Sequence, residues 1–211
     1  MDILKKIKEL KIIPVATIDK ESYSIPLGKA LIEAGLPILE ITFRTESATK
    51  SINNLTNYFK NLIVGAGTVL KVEQVKKALD AGALFIVTPG FNPKIVDYCV
   101  DQGIHIIPGV NTPTMVEWAL DKGISVVKFF PASLSGGVQM LKALSGPYPE
   151  MRFIPTGGIN QNTIIEYLKL SNVIACGGSW IVKEELISLG KFDEIKKLTE
   201  EAISLIRTEF G

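Results

Sequence analysis

At 211 residues, with 46% hydrophobic and 21% charged side chains, the chain has the size and balance of one soluble globular domain spanning residues 1–211. A formal net charge of +1 provides no broad basic field for nucleic acid and no acidic tail. No run reaches the roughly 18 uncharged apolar residues of a membrane span, and the opening MDILKKIKELK lacks the apolar stretch of a signal peptide, so a cytoplasmic location with no membrane partner is expected.

That charged, amphipathic opening reads as an N-terminal helix. Eight short apolar runs follow: IIPVAT (12–17), PILEITF (37–43), LIVGAG (62–67), LFIVTPG (84–90), IHIIPG (104–109), VVKFFPA (126–132), RFIPTGG (152–158) and VIACGG (173–178). They are rich in Ile, Val and Phe without strict polar alternation, which is how strands buried on both faces of a parallel sheet read. Between them Ile25, Leu27, Ala30, Leu31 and Ala34 can share one helix face, and so can Val72, Val75, Ala78 and Leu79. Glycines at 35, 82, 103 and 123 supply helix stops. Eight such units, each about 20 to 25 residues long, predict a compact (β/α)8 TIM barrel with an N-terminal helix, although about 250 residues is more typical. An open doubly wound sheet is the alternative. Gly65-Ala-Gly67 lacks the third glycine of a dinucleotide fingerprint and carries little weight.

In a barrel, chemistry gathers where the strands end. Lys128 interrupts the sixth run, and burial there would strip the ammonium of hydration and favour the neutral amine that attacks a ketone. A salt-bridged or snorkelling strand-end lysine fits the same pattern. Glu40, flanked by Leu39 and Ile41, suits a general acid and base, or a structural ion pair with Arg44 or Lys128. Arg44 follows the second run and could fork onto a carboxylate. Thr68 follows the third run, and Pro89 lies near the end of the fourth. Thr156 with Gly157 and Gly158 ends the seventh, and Gly177, Gly178 and Ser179 lie at the end of the eighth. Paired glycines at the last two strand ends favour a phosphate held by backbone N–H groups, although each pair alone is more often just a turn.

His105, the single histidine, reads as a core residue, and one histidine cannot build the His clusters of a metal enzyme, so no metal and no cofactor is expected. Cys99 and Cys176 read as buried reduced thiols, and Trp118 and Trp180 as packing residues.

LEITFRT (39–45), VGAGTV (64–69), PG (89–90), IPGV (107–110), VKFFPA (127–132), PTGGI (155–159) and GGSW (177–180), in this order and spacing, resemble the 2-keto-3-deoxy-6-phosphogluconate (KDPG) / 4-hydroxy-2-oxoglutarate (KHG) aldolase family. The resemblance runs from about residue 12 to residue 182 and implies a metal-free class I aldolase. Such an enzyme releases pyruvate and glyceraldehyde 3-phosphate, and in many members also cleaves 4-hydroxy-2-oxoglutarate. It implies Lys128 as the Schiff base and Glu40 as the proton carrier. Arg44 and Thr68 would hold the pyruvate carboxylate, with Pro89 lining the pocket. Gly157, Gly158, Gly178 and Ser179 would hold the phosphate, and a homotrimer is implied. The galactonate-specific relative, another phosphate-binding barrel enzyme and a non-catalytic sensor of a phosphorylated metabolite are the competing readings.

Overall fold

The computed structural model describes residues 2–211. Among them the chain forms an α/β fold of parallel strands. These are β1 (Ile12–Ala16), β2 (Ile38–Thr42), β3 (Ile63–Gly67), β4 (Phe85–Val87), β5 (Ile106–Ile107), β6 (Gly109–Val110), β7 (Val126–Phe129), β8 (Arg152–Pro155) and β9 (Cys176–Gly178). Helices α1 (Ile3–Leu10), α2 (Ser24–Glu33), α3 (Ala48–Tyr58), α4 (Val72–Asp80), α5 (Pro93–Asp101) and α6 (Pro113–Asp121) fill the connections of the first two thirds. After them come α7 (Gly137–Ser145), α8 (Ile164–Leu168), α9 (Glu184–Ser188) and the long α10 (Phe192–Phe210).

The predicted helices arise for the expected reasons. In α1 the Asp2 carboxylate accepts from the Lys5 N–H at 3.0 Å and caps the start, while Ile3 and Ile7 turn inward. Helices α5 and α6 each begin with proline after a capping side chain, Asn92 and Thr112. The four predicted stops, Gly35, Gly82, Gly103 and Gly123, all adopt positive φ, between 65° and 94°. Leu27, Ala30 and Leu31 bury one face of α2 as the spacing foretold, and Val75 and Ala78 do so for α4.

The strands pair in two parallel sheets, in the orders β5-β4-β3-β2-β1-β9 and β6-β7-β8. Both curl around one interior, because side chains from β2 and β7, in different sheets, meet inside it. The fifth predicted run is divided into β5 and β6 by Pro108, which has no N–H to donate to a ladder. Its carbonyl still accepts from the Lys128 N–H at 2.9 Å. At the other junction, β8 and its following loop meet the β9 region through isolated parallel bridges, Phe153 to Val173 and Thr156 to Gly177.

Phe129 and Phe153 point away from the Lys128 side of their strands and fill the space under the helices, whereas Phe85, in register with Gly65 and through it with Glu40, faces the interior. Phe85, Phe129 and Phe153 are fully buried, and Phe129 meets Phe153 edge-on at 6.3 Å. Each such ring removed from water contributes roughly 1.5–3 kcal/mol. Helix α10 closes over α2, where the Lys196 ammonium donates to Glu33 at 3.0 Å. That contact holds the Glu33 carboxyl below its ordinary range and raises the Lys196 ammonium above its own.

Two readings of single residues are corrected. His105 is exposed rather than in the core, because the ladder turns its side chain outward while its carbonyl accepts from the Ile86 N–H. Trp118 is 45% exposed on α6 and lies 5.8 Å from the Phe91 ring, so it does not fill the space between helix and strands. Trp180 is half-buried and packs against the core as expected, and it also lines a cavity. Cys99 and Cys176 are buried and free, as expected, and burial pushes the Cys99 thiol up to about 11 and raises that of Cys176 as well.

Candidate active site

Strand alternation sends Ile38, Glu40 and Thr42 to one side of β2 and Val126 and Lys128 to one side of β7. Ladder register sets Lys128 between Gly109 of β6 and Ile154 of β8, and Glu40 between Val15 of β1 and Gly65 of β3. The two charged side chains then meet across the interior. Lys128 Nζ donates to Glu40 Oε1 at 3.3 Å, with side-chain exposures of 6% and 4%. The ammonium also sits 5.3 Å from the centre of the Phe130 ring. Of the two partners foreseen for Glu40, the structure selects Lys128. Arg44 is exposed and forms no ion pair with Glu40 among the described residues.

Two charges withdrawn from water need each other, since neither has enough solvent left to compensate it. The backbone makes room for them. A Cβ at Gly67 would run into the Glu40 carboxylate, and a Cβ at Gly65 into the Phe85 ring. The Gly-Ala-Gly of β3, which has no role as a nucleotide fingerprint, therefore serves the acid: only hydrogen at position 67 leaves space for Glu40.

A cavity of about 550 Å³ opens over the pair. Seven of the residues singled out in the sequence line it: Arg44, Thr68, Pro89, Lys128, Thr156, Gly157 and Ser179. Glu40 reaches it through its contact with Lys128. Gly158 and Gly178 do not line it. A Cβ at Gly158 would strike the Ser133 hydroxyl, and one at Gly178 would strike the Trp180 ring, so each glycine makes room for a neighbouring side chain.

Local structure fixes each lining group. The turn carrying Arg44 is tied down by its neighbours. Thr45 donates to the Ile18 carbonyl at 2.5 Å, Ser47 donates to the same oxygen, and the Phe43 N–H donates to the Gly67 carbonyl at 2.7 Å. Thr68 adopts φ 53°, a left-handed conformation rare for a β-branched residue, and its side chain is thereby aimed at the cavity. The Thr88 hydroxyl donates to the Gly90 carbonyl at 2.8 Å and spans Pro89. Gly109 has no side chain to collide with the Pro89 backbone. Gly157 and Gly158 take φ 96° and 77°, conformations that open the turn after β8.

Sequence reasoning missed several lining residues. Thr17 and Thr42 place their hydroxyls 2.9 Å apart at the ends of β1 and β2. Thr42 was visible two residues after Glu40, on the same face, but its type gave no signal. Trp180, Lys183 and Glu184 complete the wall beyond β9. No group of three or more His, Cys, Asp or Glu side chains suited to a metal occurs among the described residues, and no helix there is long and apolar enough to cross a membrane.

The site can therefore offer an amine, an adjacent carboxylate, a guanidinium, several hydroxyls and a glycine-rich turn around one space. Comparison with known proteins gives the arrangement relatives. The KDPG and KHG aldolase family model matches residues 3–198. A 2-dehydro-3-deoxy-phosphogluconate aldolase of Haemophilus influenzae is 49% identical over 205 residues, covering 97% of each chain. The KDPG aldolase of Legionella pneumophila, solved with pyruvate captured at low pH as a covalent carbinolamine intermediate, superposes with a TM-score of 0.89 at 40% identity. That alignment covers 91% of this chain and 93% of the other. The 2-keto-3-deoxy-6-phosphogluconate aldolase of Zymomonas mobilis ZM4, solved with 3-phosphoglycerate, gives 0.90 at 33% identity over the whole of both chains.

Proposed function

The chain belongs to the KDPG and KHG aldolase family, and we propose that this aldolase cleaves 2-keto-3-deoxy-6-phosphogluconate to pyruvate and glyceraldehyde 3-phosphate through an imine on Lys128. The observation that carries this reading is the buried Lys128 amine, 3.3 Å from a buried carboxylate and opening on a cavity that ends in glycine turns. The carbinolamine of the Legionella relative supports it, because a carbinolamine forms when an amine adds to a ketone.

Transfer of a proton from Lys128 Nζ to Glu40 leaves a neutral amine to attack C2. Loss of water gives a protonated imine. The C3–C4 bond then breaks, its electron pair flows towards the imine nitrogen, and Glu40 takes the C4 hydroxyl proton as the aldehyde departs. The resulting enamine receives a proton at C3 from the same carboxyl group, and water releases pyruvate. One carboxylate can serve each step because each leaves it in the protonation state required by the next. Arg44 and Thr68 fix the substrate carboxylate so that attack starts from a near-attack geometry. The Gly157 turn and Ser179 hold the phosphate, whose binding energy helps to position the reacting atoms. The 3-phosphoglycerate found with the Zymomonas relative, a phosphorylated carboxylate, suits such a two-ended site. The smaller 4-hydroxy-2-oxoglutarate fits the pyruvate half of the same site, in keeping with the family's name.

Three further readings accompany this one. The two sheets form one closed (β/α)8 ring, joined through Pro108 on one side and the β8–β9 bridges on the other. The protein works in the cytoplasm. It assembles as a homotrimer, supported by the exposed apolar side chains of Leu70 and Trp118 beside the half-buried Phe91 and tested by light scattering.

Borohydride added with pyruvate attaches a three-carbon group to Lys128, located by peptide mass mapping. An adduct on another lysine, or none, defeats the mechanism. Glu40→Gln lowers turnover by about 10²–10⁴-fold, and unchanged turnover removes Glu40 from it.

A further inference from the structure

The cavity carries one cation to which the reaction assigns no task. Lys183, four residues beyond Ser179, lines the same space as Gly157 and Ser179. Its side chain is exposed and takes part in no salt bridge among the described residues. The other two cations lining the cavity are already engaged: Lys128 faces Glu40, and Arg44 stands at the end of β2 with the threonines.

Charge balance shows what Lys183 can do. A phosphorylated keto acid brings one carboxylate and a phosphate monoester of about −1.5 to −2 at neutral pH. Arg44 offsets the carboxylate. At the far end, backbone N–H groups and the Ser179 hydroxyl carry no net charge, and the Glu184 carboxylate at the rim would repel an anion. Position agrees with charge. In the ladder, β2 and β9 are separated by β1 alone, so their ends lie two strand spacings apart, about 10 Å. That span suits an extended six-carbon acid with its carboxylate at Arg44 and its 6-phosphate beside Lys183.

We propose that Lys183 is a specificity-determining residue that clamps the substrate phosphate from the rim of the cavity and shields it from Glu184. The proposal rests on the aldolase reading above. It makes the preference for phosphorylated substrate partly a property of one flexible side chain rather than of the glycine turns alone.

The test compares 2-keto-3-deoxy-6-phosphogluconate with 2-keto-3-deoxygluconate, which have one carbon skeleton and differ only in the phosphate. Pyruvate release is followed with wild type and with Lys183→Ala, Lys183→Glu and Lys183→Arg. Lys183→Ala shrinks the ratio of kcat/KM for phosphorylated over unphosphorylated substrate by about five- to twentyfold, mainly through KM. Lys183→Glu shrinks it further, and Lys183→Arg retains it within about twofold. The KM of wild type for the phosphorylated substrate rises with added salt more steeply than that of Lys183→Ala. A ratio unchanged in Lys183→Ala, or a Lys183→Glu no worse than Lys183→Ala, overturns the proposal. The aldolase reading fails separately, if wild type releases no pyruvate or traps no imine at Lys128.

Discussion

The Lys128–Glu40 contact makes a prediction about stability that is independent of turnover. Replacing Lys128 by Met leaves a carboxylate with 4% side-chain exposure and no cation beside it, and replacing Glu40 by Leu leaves an ammonium at 6% in the same position. Breaking a buried pair from one side costs about 3–5 kcal/mol, whereas exchanging both partners for apolar groups of similar volume is neutral or stabilising by about 1–4 kcal/mol. Unfolding entropy of about 2.1 cal/mol/K per residue over 211 residues converts 1 kcal/mol into about 2.3 °C. Each single variant should therefore melt about 7–11 °C below wild type, and the double variant at or above wild type, while all three are catalytically dead. Differential scanning calorimetry with urea denaturation completes the double-mutant cycle. Single variants within about 2 °C of wild type, or a double variant that loses the sum of both, would show that the two charges do not compensate one another.

Three other outcomes follow from the geometry. Gly67→Ala drives a methyl group into the Glu40 carboxylate and should lower kcat by about 10²-fold or more, with circular dichroism showing a folded chain; near-normal kcat would place the carboxylate elsewhere. Thr68→Gly relieves a β-branched residue at φ 53°, so denaturation should show a gain of about 1 kcal/mol while the KM for substrate rises; a loss of stability would refute the strain. Burial pushes the Cys99 thiol up to about 11 and raises Cys176, leaving on the order of 10⁻³ of Cys99 as thiolate at pH 8. Ellman's reagent should therefore titrate neither thiol in the folded protein and both in urea.

Much of the site was legible because its residues violate local pattern. Lys128 and Glu40 stood out as charges inside apolar runs, and burial with mutual pairing is the solution that lets such residues persist. Helix ends were legible for a similar reason: positive φ demands glycine, and Gly35, Gly82, Gly103 and Gly123 announce it. What stayed hidden depends on neighbours in space. Gly67 resembled half of a nucleotide motif until the β2–β3 register placed Glu40 against it. Thr17 and Thr42 are ordinary strand residues one by one, and only the pairing of β1 with β2 brings their hydroxyls together. His105 and Trp118 were assigned inward because composition reports how apolar a segment is and not which of its faces a given side chain takes. Pro108 divided the fifth run because one missing donor outweighs several favourable β-formers around it.

The partners of the central contact lie 88 residues apart in the chain and on strands of different sheets. No segment ending before residue 128 can hold both, and β8 must be present to flank the lysine strand on its far side. A nascent chain, made at about 5–20 residues per second, therefore carries an inert lysine from the moment position 128 is added until at least β8 has followed it. Reactivity arrives late, when distant parts of the sequence have met and the entropy of closing that long loop has been overcome. Imine trapping with pyruvate during refolding is thus a clock for completion of the tertiary structure, and partly folded or truncated forms should stay silent in it even where their helices have already formed.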